Sequence, residues 1–473
     1  EVQLRIAGTE LQPETDWISK PLALGDNAFH LTLTSRSGKS VEYSFIVHRA
    51  GSQEAYIKSN HPVVSDGFGS SIALSGNALV VGAPWQDGAQ GGVNPDPSNA
   101  GATDSGAAYL FTRDGSEWTQ RLFLKADTPQ AGDYFGSGVA ILDNWIVVGA
   151  TRADPSGLDT NPARKGAIYL FGRSPDGTWF QRATLSPDDG APGNLFGFRV
   201  LLTDSLILVG APAEKTADQS TGAVYLFERD GNEWRLTKRL TAAKPVAGGA
   251  FGSALALDRD TLVIGSQKDP TSVAAGGSAY VFVRQADDWV EQQRLEPDRS
   301  TAGATFGWSV AVQGDTIVVG APHVTVNLDA PRGQAYVFER TQDGWKQTAI
   351  LEAPQPRETV HFGVGLILQP TGLLLGASGD GSAANGLQGD ANNHGAPRSG
   401  AVYLYTRRAS EFTLSTYLKA SSPQRGDAFG ISIAWSGDTI AAGATFDSRN
   451  ASGVNPDLNS DMLANSGAVY VLR

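Results

Sequence analysis

Two distant segments of the chain carry the same five residues, Gly-Val-Asn-Pro-Asp, at positions 92–96 and 453–457. Asp carboxylates and Asn carbonyls coordinate Ca²⁺ and accept hydrogen bonds from sugar hydroxyls. The candidate ligand-binding residues in these segments are Asn94, Asp96, Asn455 and Asp457. The alternative is that Asn-Pro-Asp only builds turns and that its carboxylate is solvated. The lack of regular metal-ligand spacing favours that alternative.

Other acidic and aromatic residues lie near the two pentapeptides or in comparable loops. The remaining candidates for ligand binding are Trp85, Asp87, Asp380, Asp390 and Asp447. Trp85 follows a Gly-Ala-Pro turn and offers a flat aromatic surface for a glycan. Asp66 and Asp427 stand two residues before a Phe-Gly pair and, with Asp96 and Asp457, are the candidate metal ligands. The metal that such oxygen donors would hold is Ca²⁺.

Two histidines are candidates for catalysis, His361 and His394. With a Tyr or Arg nearby, they could act as acid and base in a polysaccharide lyase or hydrolase. The simpler interpretation is that loop histidines are scattered by chance. The sequence has no G-x-S-x-G, H-E-x-x-H or phosphate-cradling motif. A binding protein is therefore expected more than an enzyme.

These residues are separated by a repeat that recurs seven times. An aromatic-Gly pair opens each copy, and successive pairs lie 55 to 67 residues apart. The pairs begin at Phe68, Phe135, Phe196, Phe251, Phe306, Phe362 and Phe429. Self-similarity at a nearly fixed period is typical of repeat architectures.

Each repeat has the content of four short strands. The Phe-Gly pair leads into an alternating strand, a tight turn and a second apolar strand that ends in Gly-Ala or Gly-Ser. A variable loop follows, then a third strand with the pattern G-x-x-Y-x-F, a short turn, a Trp or Phe, and a fourth strand. Four antiparallel strands per repeat form one propeller blade. Residues 53–473 are thus predicted to be an all-β, seven-bladed propeller.

The ends of the chain are predicted to close the ring. The seventh repeat stops at Arg473, after its third strand, whereas residues 55–69 match the fourth-strand segments at 122–136 and 416–430. The N-terminal segment should therefore supply the outer strand of blade seven. Closure of this kind removes an exposed strand edge.

Residues 1–52 show a different pattern. Residues 22–50 alternate apolar and polar residues around a Ser-Gly-Lys turn at 37–39, which predicts a hairpin with one buried face. The Gly-Asp-Asn turn at 25–27 and the strand at 43–49 resemble the C-terminal half of a bacterial cadherin-like β-sandwich. The resemblance implies a small, partial sandwich before the propeller.

The seven repeats resemble FG-GAP repeats, the units of the integrin α-chain propeller and of many bacterial surface proteins. The resemblance implies a propeller of extracellular type that serves as a recognition surface. Integrin-like repeats often carry a D-x-D-x-D-G calcium loop between their first two strands. Here those turns are too short to surround an ion that needs six to eight oxygens, so calcium is not expected in them.

The loops between second and third strands lie on one face of a propeller. They are long in blade six (379–399), blade seven (446–466) and blade one (85–105), which are neighbours once the ring closes. We therefore expect a secreted or cell-surface bacterial binding or adhesion protein that recognises a glycan or an extracellular protein through these loops. The alternatives are a polysaccharide-degrading enzyme on the same face and a structural unit of a surface assembly.

Charge and composition exclude other classes of partner. The formal net charge is −12 and the basic residues form no stripe, which argues against nucleic acid. No run of 18 apolar residues occurs, so no transmembrane segment is expected. There is no cysteine for a disulfide or a thiolate metal site. Because the sequence starts at Glu1, we expect a trimmed piece of a longer modular chain.

Overall fold

The computed structural model describes residues 3–6, 9–11, 25–34, 40–49 and 52–473, except 155–163, 188–191, 217–218, 232, 272, 287, 300, 326–331, 355–358, 387–388, 409–410 and 458–461. Every regular element in this part of the chain is a β-strand. The same residues contain no helix long and apolar enough to cross a membrane. Strands are numbered β1 to β35 in chain order.

The N-terminal segment forms one antiparallel sheet in the order β2-β1-β3-β4. Its strands are β1 (Gln3–Ile6), β2 (Thr9–Leu11), β3 (Gly25–Thr34) and β4 (Ser40–Arg49). The predicted hairpin is confirmed by the pairing of β3 with β4, although its turn at 37–39 lies outside the described residues. The cadherin-like sandwich, and a domain boundary at residue 52, stay predictions.

From residue 52 onward, the described residues form seven sheets of at least four antiparallel strands, and the predicted seven-bladed propeller is confirmed. After β5 (Gln53–Ile57), blade one contains β6 (Ser71–Ser75), β7 (Ala78–Ala83), β8 (Gly92–Val93), β9 (Ala107–Asp114) and β10 (Glu117–Lys125). Blade two contains β11 (Phe135–Leu142), β12 (Trp145–Ala150), β13 (Ala167–Arg173) and β14 (Trp179–Leu185). Blade three contains β15 (Arg199–Leu202), β16 (Leu206–Ala211), β19 (Ala223–Asp230) and β20 (Glu233–Leu240), with a loop hairpin of β17 (Lys215–Thr216) and β18 (Gln219–Ser220).

The remaining blades repeat the pattern. Blade four contains β21 (Phe251–Asp258), β22 (Thr261–Ser266), β23 (Ser278–Gln285) and β24 (Asp288–Leu295). Blade five contains β25 (Ser309–Gln313), β26 (Thr316–Ala321), β27 (Gln334–Thr341) and β28 (Gly344–Leu351). Blade six contains β29 (Phe362–Gln369), β30 (Gly372–Ala377), β31 (Ala401–Arg408) and β32 (Glu411–Leu418). Blade seven contains β33 (Ser432–Ser436), β34 (Thr439–Ala444) and β35 (Ala468–Leu472), with β5 as its outer strand.

The predicted closure of the ring is also confirmed. Strand β5 pairs antiparallel with β35, with Tyr56 opposite Tyr470. Ser52 and Arg473 exchange two backbone hydrogen bonds of 2.9 and 3.0 Å, which fasten the end of the chain. The outer edge of β35 is therefore covered, as in the other blades.

The Phe-Gly pairs join each blade to the one before it. Phe135 of blade two is fully buried, and the centroid of its ring lies 5.3 and 6.2 Å from those of Tyr169 and Phe171. The following Gly136 has a positive φ of 96° and packs against the backbone of blade one, where a Cβ would collide with the carbonyl oxygen of Ala107. The repeated motif is thus a scaffold for packing blade on blade.

Candidate functional site

The long loops of blades one and seven fold back along the outer edges of their own blades. In blade one, β8 pairs with β10, so that Gly92 lies opposite Lys125. In blade seven, Val454 forms a bridge with Ile57, and the Lys58 amide donates to the Gly453 carbonyl at 2.9 Å. Each pentapeptide therefore begins as a short additional edge strand.

The asparagines of the two pentapeptides fix this arrangement. Asn94 Oδ1 accepts the Phe123 amide at 2.8 Å, while the Asn94 amide donates to the Phe123 carbonyl at 2.7 Å. Asn455 makes the same pair of bonds with Tyr56, both at 2.8 Å. Both asparagines have positive φ, 54° and 48°, a conformation that Asn tolerates better than most residues. Their side-chain carbonyls are thus engaged in holding the loops.

Beyond the asparagines, the two loops border an open groove of about 800 Å³ between blades seven and one. Residues 96–98 of blade one line it together with residues 450–452 and 456–457 of blade seven. Residues 60–63, which link the two blades, complete the lining. The structure thus brings together the predicted residues Asp96 and Asp457 and adds His61, which is exposed there.

Asp96 is held in a defined position in this groove. Its Oδ1 accepts hydrogen bonds from the Ser98 amide at 2.9 Å and from the Ser98 hydroxyl at 2.7 Å. These bonds, with a smaller contribution from His61, lower the pKa of the Asp96 carboxyl. The groove therefore presents an ionised carboxylate at neutral pH.

A buried ionic cluster lies at the base of the blade-seven loop. Lys58 and Asp447 are both fully buried, and Lys58 Nζ donates to Asp447 Oδ1 at 3.0 Å. The Tyr56 hydroxyl donates to the same oxygen at 3.0 Å. The Arg449 guanidinium pairs with the other carboxylate oxygen and donates to the Tyr470 hydroxyl at 2.7 Å. This cluster ties the loop to strands β5 and β35.

Blade six contains a similar cluster. Lys419 Nζ lies 3.1 Å from Asp380 Oδ1 and 2.7 Å from Ser399 Oγ. The hydroxyls of Tyr403 and Tyr417 donate to the two carboxylate oxygens of Asp380 at 3.1 and 2.7 Å. In this way Asp380 and Ser399, near the two ends of the loop, are joined to the outer strand and the lysine that follows it.

Blade one has a buried lysine at the equivalent position, but a glutamine replaces the aspartate that pairs with it in blades six and seven. Lys125 Nζ donates to Gln86 Oε1 at 2.7 Å and to Ser105 Oγ at 2.8 Å. Gln86 occupies the position that Asp380 and Asp447 occupy, four residues after the second-to-last residue of the second strand, a glycine. Desolvation by burial lowers the pKa of Lys125 to about 8.

Two predicted ligand-binding residues thus have internal partners. Asp447 is completely buried and Asp380 is only 8% exposed. Both carboxylates lie beneath their loops, where each accepts hydrogen bonds from a lysine and from tyrosine hydroxyls. The lysines were not singled out from the sequence, although the Ile-Lys or Leu-Lys pairs at 57–58, 124–125 and 418–419 could have revealed them. The equivalent residues in blades two to five are Ser186, Thr241, Glu296 and Glu352.

The proposed metal ligands before the Phe-Gly pairs are also buried. Asp66 Oδ2 accepts the Val63 amide at 2.7 Å, and Asp427 Oδ2 accepts the Gln424 amide at 2.8 Å. Burial raises the pKa of each carboxyl to about 7, with further contributions from Asp87 and Asp447 respectively. Among the described residues, no three His, Asp or Glu side chains are grouped so that they could hold a metal ion.

Two further predicted acids form hydrogen bonds within their own loops. Asp87 Oδ1 accepts the Asp104 amide at 2.8 Å. Asp390 Oδ1 accepts hydrogen bonds from the backbone amide and the side-chain Nδ2 of Asn392, at 2.9 and 3.0 Å. Asp390 is exposed, whereas Asp87 is half-buried. Neither carboxylate lines the groove between blades seven and one.

Two aromatic side chains occupy equivalent positions in blades one and seven. Trp85 and Phe446 each stand two residues after the alanine that ends the second strand, and each is 37% exposed. The Trp85 indole covers Gly67, where any Cβ would collide with the ring. Both rings are accessible to a ligand on the long-loop face.

The structure does not bring the two candidate catalytic histidines together. The ring of His361 packs against that of His323 at 5.2 Å, and His323 Nδ1 lies 2.8 Å from Thr305 Oγ1. Burial, and to a lesser extent His323, lowers the pKa of His361 to about 4. Its ring is therefore neutral at pH 7. No contact joins His361 to His394 among the described residues.

Comparisons with known proteins identify the repeat. The protein is similar in structure to the periplasmic gluconolactonase PpgL of Pseudomonas aeruginosa, with a TM-score of 0.44 and 10% identity over 85% of this chain and 94% of that protein. A comparison with curated proteins found no match. The sequence matches the FG-GAP repeat over residues 52–111, 118–171, 179–227, 234–282 and 289–338, which is more than half of its length. The chain belongs to the FG-GAP repeat family.

Proposed function

We propose that this protein is a secreted or cell-surface bacterial binding protein and that it holds a glycan in the groove between blades seven and one. The main observation that supports this function is that two copies of one pentapeptide, separated by more than 350 residues of sequence, meet at this groove. We expect the loops of blades six, seven and one to form the surrounding surface.

The chemistry of the groove suits a sugar better than an apolar ligand. Its volume of about 800 Å³ lies within the usual range for small-molecule sites, roughly 300–1,000 Å³. Asp96 and Asp457 supply carboxylates, which accept hydrogen bonds from pairs of sugar hydroxyls. Trp85 and Phe446, exposed on the same face, offer flat surfaces for the apolar faces of sugar rings.

Glycan binding is proposed here without a requirement for Ca²⁺, and the participation of Ca²⁺ is tested separately. Asp96 and Asp457 are the two predicted metal ligands that line the groove. Two carboxylates supply fewer oxygens than the six to eight that Ca²⁺ takes, so the ligand would have to provide others. A metal-assisted site would therefore bind glycan only in the presence of Ca²⁺.

The experiment is a glycan array probed with the full chain, with added Ca²⁺ and with EDTA. Asp96→Ala and Asp457→Ala should each weaken binding to any glycan that is retained by about tenfold, because each removes a charged hydrogen-bond acceptor. Asp343→Ala is the matched control, since Asp343 is an exposed acid on a turn between third and fourth strands, on the opposite face. The control should bind as the unmodified chain does.

The other functions give different results in the same experiment. Unchanged binding in both groove variants would contradict the proposed site, and an array without any retained glycan would favour a protein partner or a structural role. A polysaccharide-degrading enzyme would shorten the retained oligosaccharide, which mass spectrometry of the products would detect. Loss of that activity in His361→Ala or His394→Ala would identify the catalytic residue.

A further inference from the structure

The first strands of the seven blades surround a central channel of about 280 Å³. The third residue after each Phe of the Phe-Gly pairs lines it. These seven residues are Ser71, Gly138, Arg199, Ala254, Ser309, Gly365 and Ser432. The strands begin at the face of the long loops, so this ring of side chains lies toward that end of the channel.

The serines of this ring have a structural role. The hydroxyls of Ser71, Ser309 and Ser432 each donate to the carbonyl of the Phe-Gly glycine in the following blade, at 2.6 to 2.7 Å. They therefore fasten one blade to the next. Blade three departs from this pattern, because it places a guanidinium where the other blades have a small side chain.

Arg199 has little compensation for its charge. Its Nη1 donates to the Phe198 carbonyl at 3.5 Å, and its guanidinium carbon lies 4.8 Å from the centroid of the Phe198 ring. Of the described residues that line the channel, none carries a carboxylate. Arg199 is half-buried, and desolvation lowers its pKa, as expected for a cation without a nearby anion.

A second residue of the channel has a polar atom without a hydrogen bond. Ser70 lines the channel, and its Oγ is buried and makes no hydrogen bond with the described residues. Buried hydroxyls are normally hydrogen-bonded, because an unsatisfied one costs about 1–3 kcal/mol. An unsatisfied hydroxyl and a guanidinium without a carboxylate partner therefore lie in the wall of the same channel.

We propose that the central channel binds a small carboxylate, whose oxygens are held by the Arg199 guanidinium. The planar guanidinium matches a carboxylate through two parallel hydrogen bonds, and one cation is neutralised by one monoanion. The volume of about 280 Å³ corresponds to roughly nine water molecules, which is enough for an acetate ion or for the acid group of a sugar. This site is separate from the groove between blades seven and one and does not depend on it.

The test is binding of acetate, glucuronate and glucose to the full chain, by titration calorimetry at pH 7 and constant ionic strength. Acetate and glucuronate should bind, and glucose should not. Arg199→Gln should lose affinity for the carboxylates by about tenfold or more, because a charged pair with two hydrogen bonds is removed. Arg199→Lys should lose less affinity, since it keeps the positive charge but cannot form two parallel hydrogen bonds with a carboxylate. A ligand that binds also raises the melting temperature by mass action, which gives a second readout.

Matched variants show whether carboxylate binding belongs to Arg199 and to the channel. Arg235→Gln removes an exposed arginine of the same blade and should leave carboxylate binding unchanged. Asp96→Ala should also leave it unchanged, so failure of the groove and failure of the channel are distinguishable. Tighter binding of glucuronate than of acetate would indicate an acidic sugar, and the reverse order a free small acid. Equal stabilisation by sodium chloride, or full carboxylate binding by Arg199→Gln, would overturn the proposal; if that variant does not fold, full binding by Arg199→Lys would do so.

Discussion

Blades seven and five share the same scaffold but hold their loops in different ways. At the fourth residue after the glycine of the second strand, blade five has Val324, which is buried in an apolar cluster with Phe306. Blade seven has Asp447 at that position, in a buried cluster with Lys58 and Arg449. The repeat therefore specifies the four-stranded structure of the blade, whereas the residues at the base of each loop determine how the loop is anchored.

Blades three and four lie between these two cases. Their equivalent residues, Glu214 and Asp269, pair with Arg239 and Arg294 at 3.4 Å. Those arginines are about one-third exposed, whereas the lysines of blades one, six and seven are fully buried. Complete burial of the cation thus accompanies the longest loops. A buried pair is expensive to desolvate, and removing one partner leaves the other uncompensated.

The largest expected effect is the loss of the carboxylate in blade seven. Asp447→Ala should lower the free energy of unfolding by about 3–5 kcal/mol, because Lys58 would remain buried without its ion-pair partner and Arg449 would keep only Asp427, at 3.6 Å. Val324→Ala, the equivalent change in blade five, should cost about 2 kcal/mol for the lost apolar burial and cavity. Urea denaturation of the full chain measures both.

Asp457→Ala is the control within the same loop. Its side chain is exposed, so the free energy of unfolding should change by less than about 0.5 kcal/mol. A cost for Asp447→Ala no larger than that of Val324→Ala would contradict the view that blade seven depends on its ionic anchor.

The next effect concerns pH and blade one. The pKa of Lys125 is about 8 in the folded chain, below its ordinary value of 10.5, so between these values the unfolded chain binds more protons. Stability contributed by this group therefore rises with pH from about 8 to 10, by at most about 1.4 kcal/mol per pH unit. Lys125→Met should remove this contribution, as shown by the difference between its unfolding curves and those of the unmodified chain.

An exposed lysine in blade five provides the comparison. Lys346→Met should leave the pH dependence of unfolding as it is in the unmodified chain, since Lys346 is solvated. The same slope in Lys125→Met and in the unmodified chain would show that the buried amine in blade one does not titrate in this range.

The smallest effect is expected from the pentapeptide asparagines. Asn94→Ala or Asn455→Ala removes one side-chain acceptor for an outer-strand amide, which should cost about 1–2 kcal/mol. Hydrogen exchange should accelerate at the amide of Phe123 in the first variant and of Tyr56 in the second. Asn450→Ala, an exposed change in the blade-seven loop, should alter neither. Unchanged protection at Tyr56 in Asn455→Ala would mean that the edge strand is held by other contacts.

The sequence by itself was sufficient to predict the seven-bladed propeller. Each Phe-Gly pair and each G-x-x-Y-x-F strand describes local chemistry that repeats, so seven weak signals reinforce one another. The match between residues 55–69 and two other fourth-strand segments also predicted the closure by β5, although the paired strands lie at opposite ends of the chain. Copies of a repeat can be recognised in a sequence however far apart they lie.

The roles of the acidic residues were decided only by the tertiary structure. Asp96, Asp447 and Asp457 look alike in the sequence, because each is an acid in a long loop. Asp447 is buried since Lys58, 389 residues away, arrives beside it when the ring closes, whereas Asp96 and Asp457 remain exposed along one groove. Whether a carboxylate anchors a loop or faces a ligand depends on burial and on its partner, and neither is a property of the local sequence.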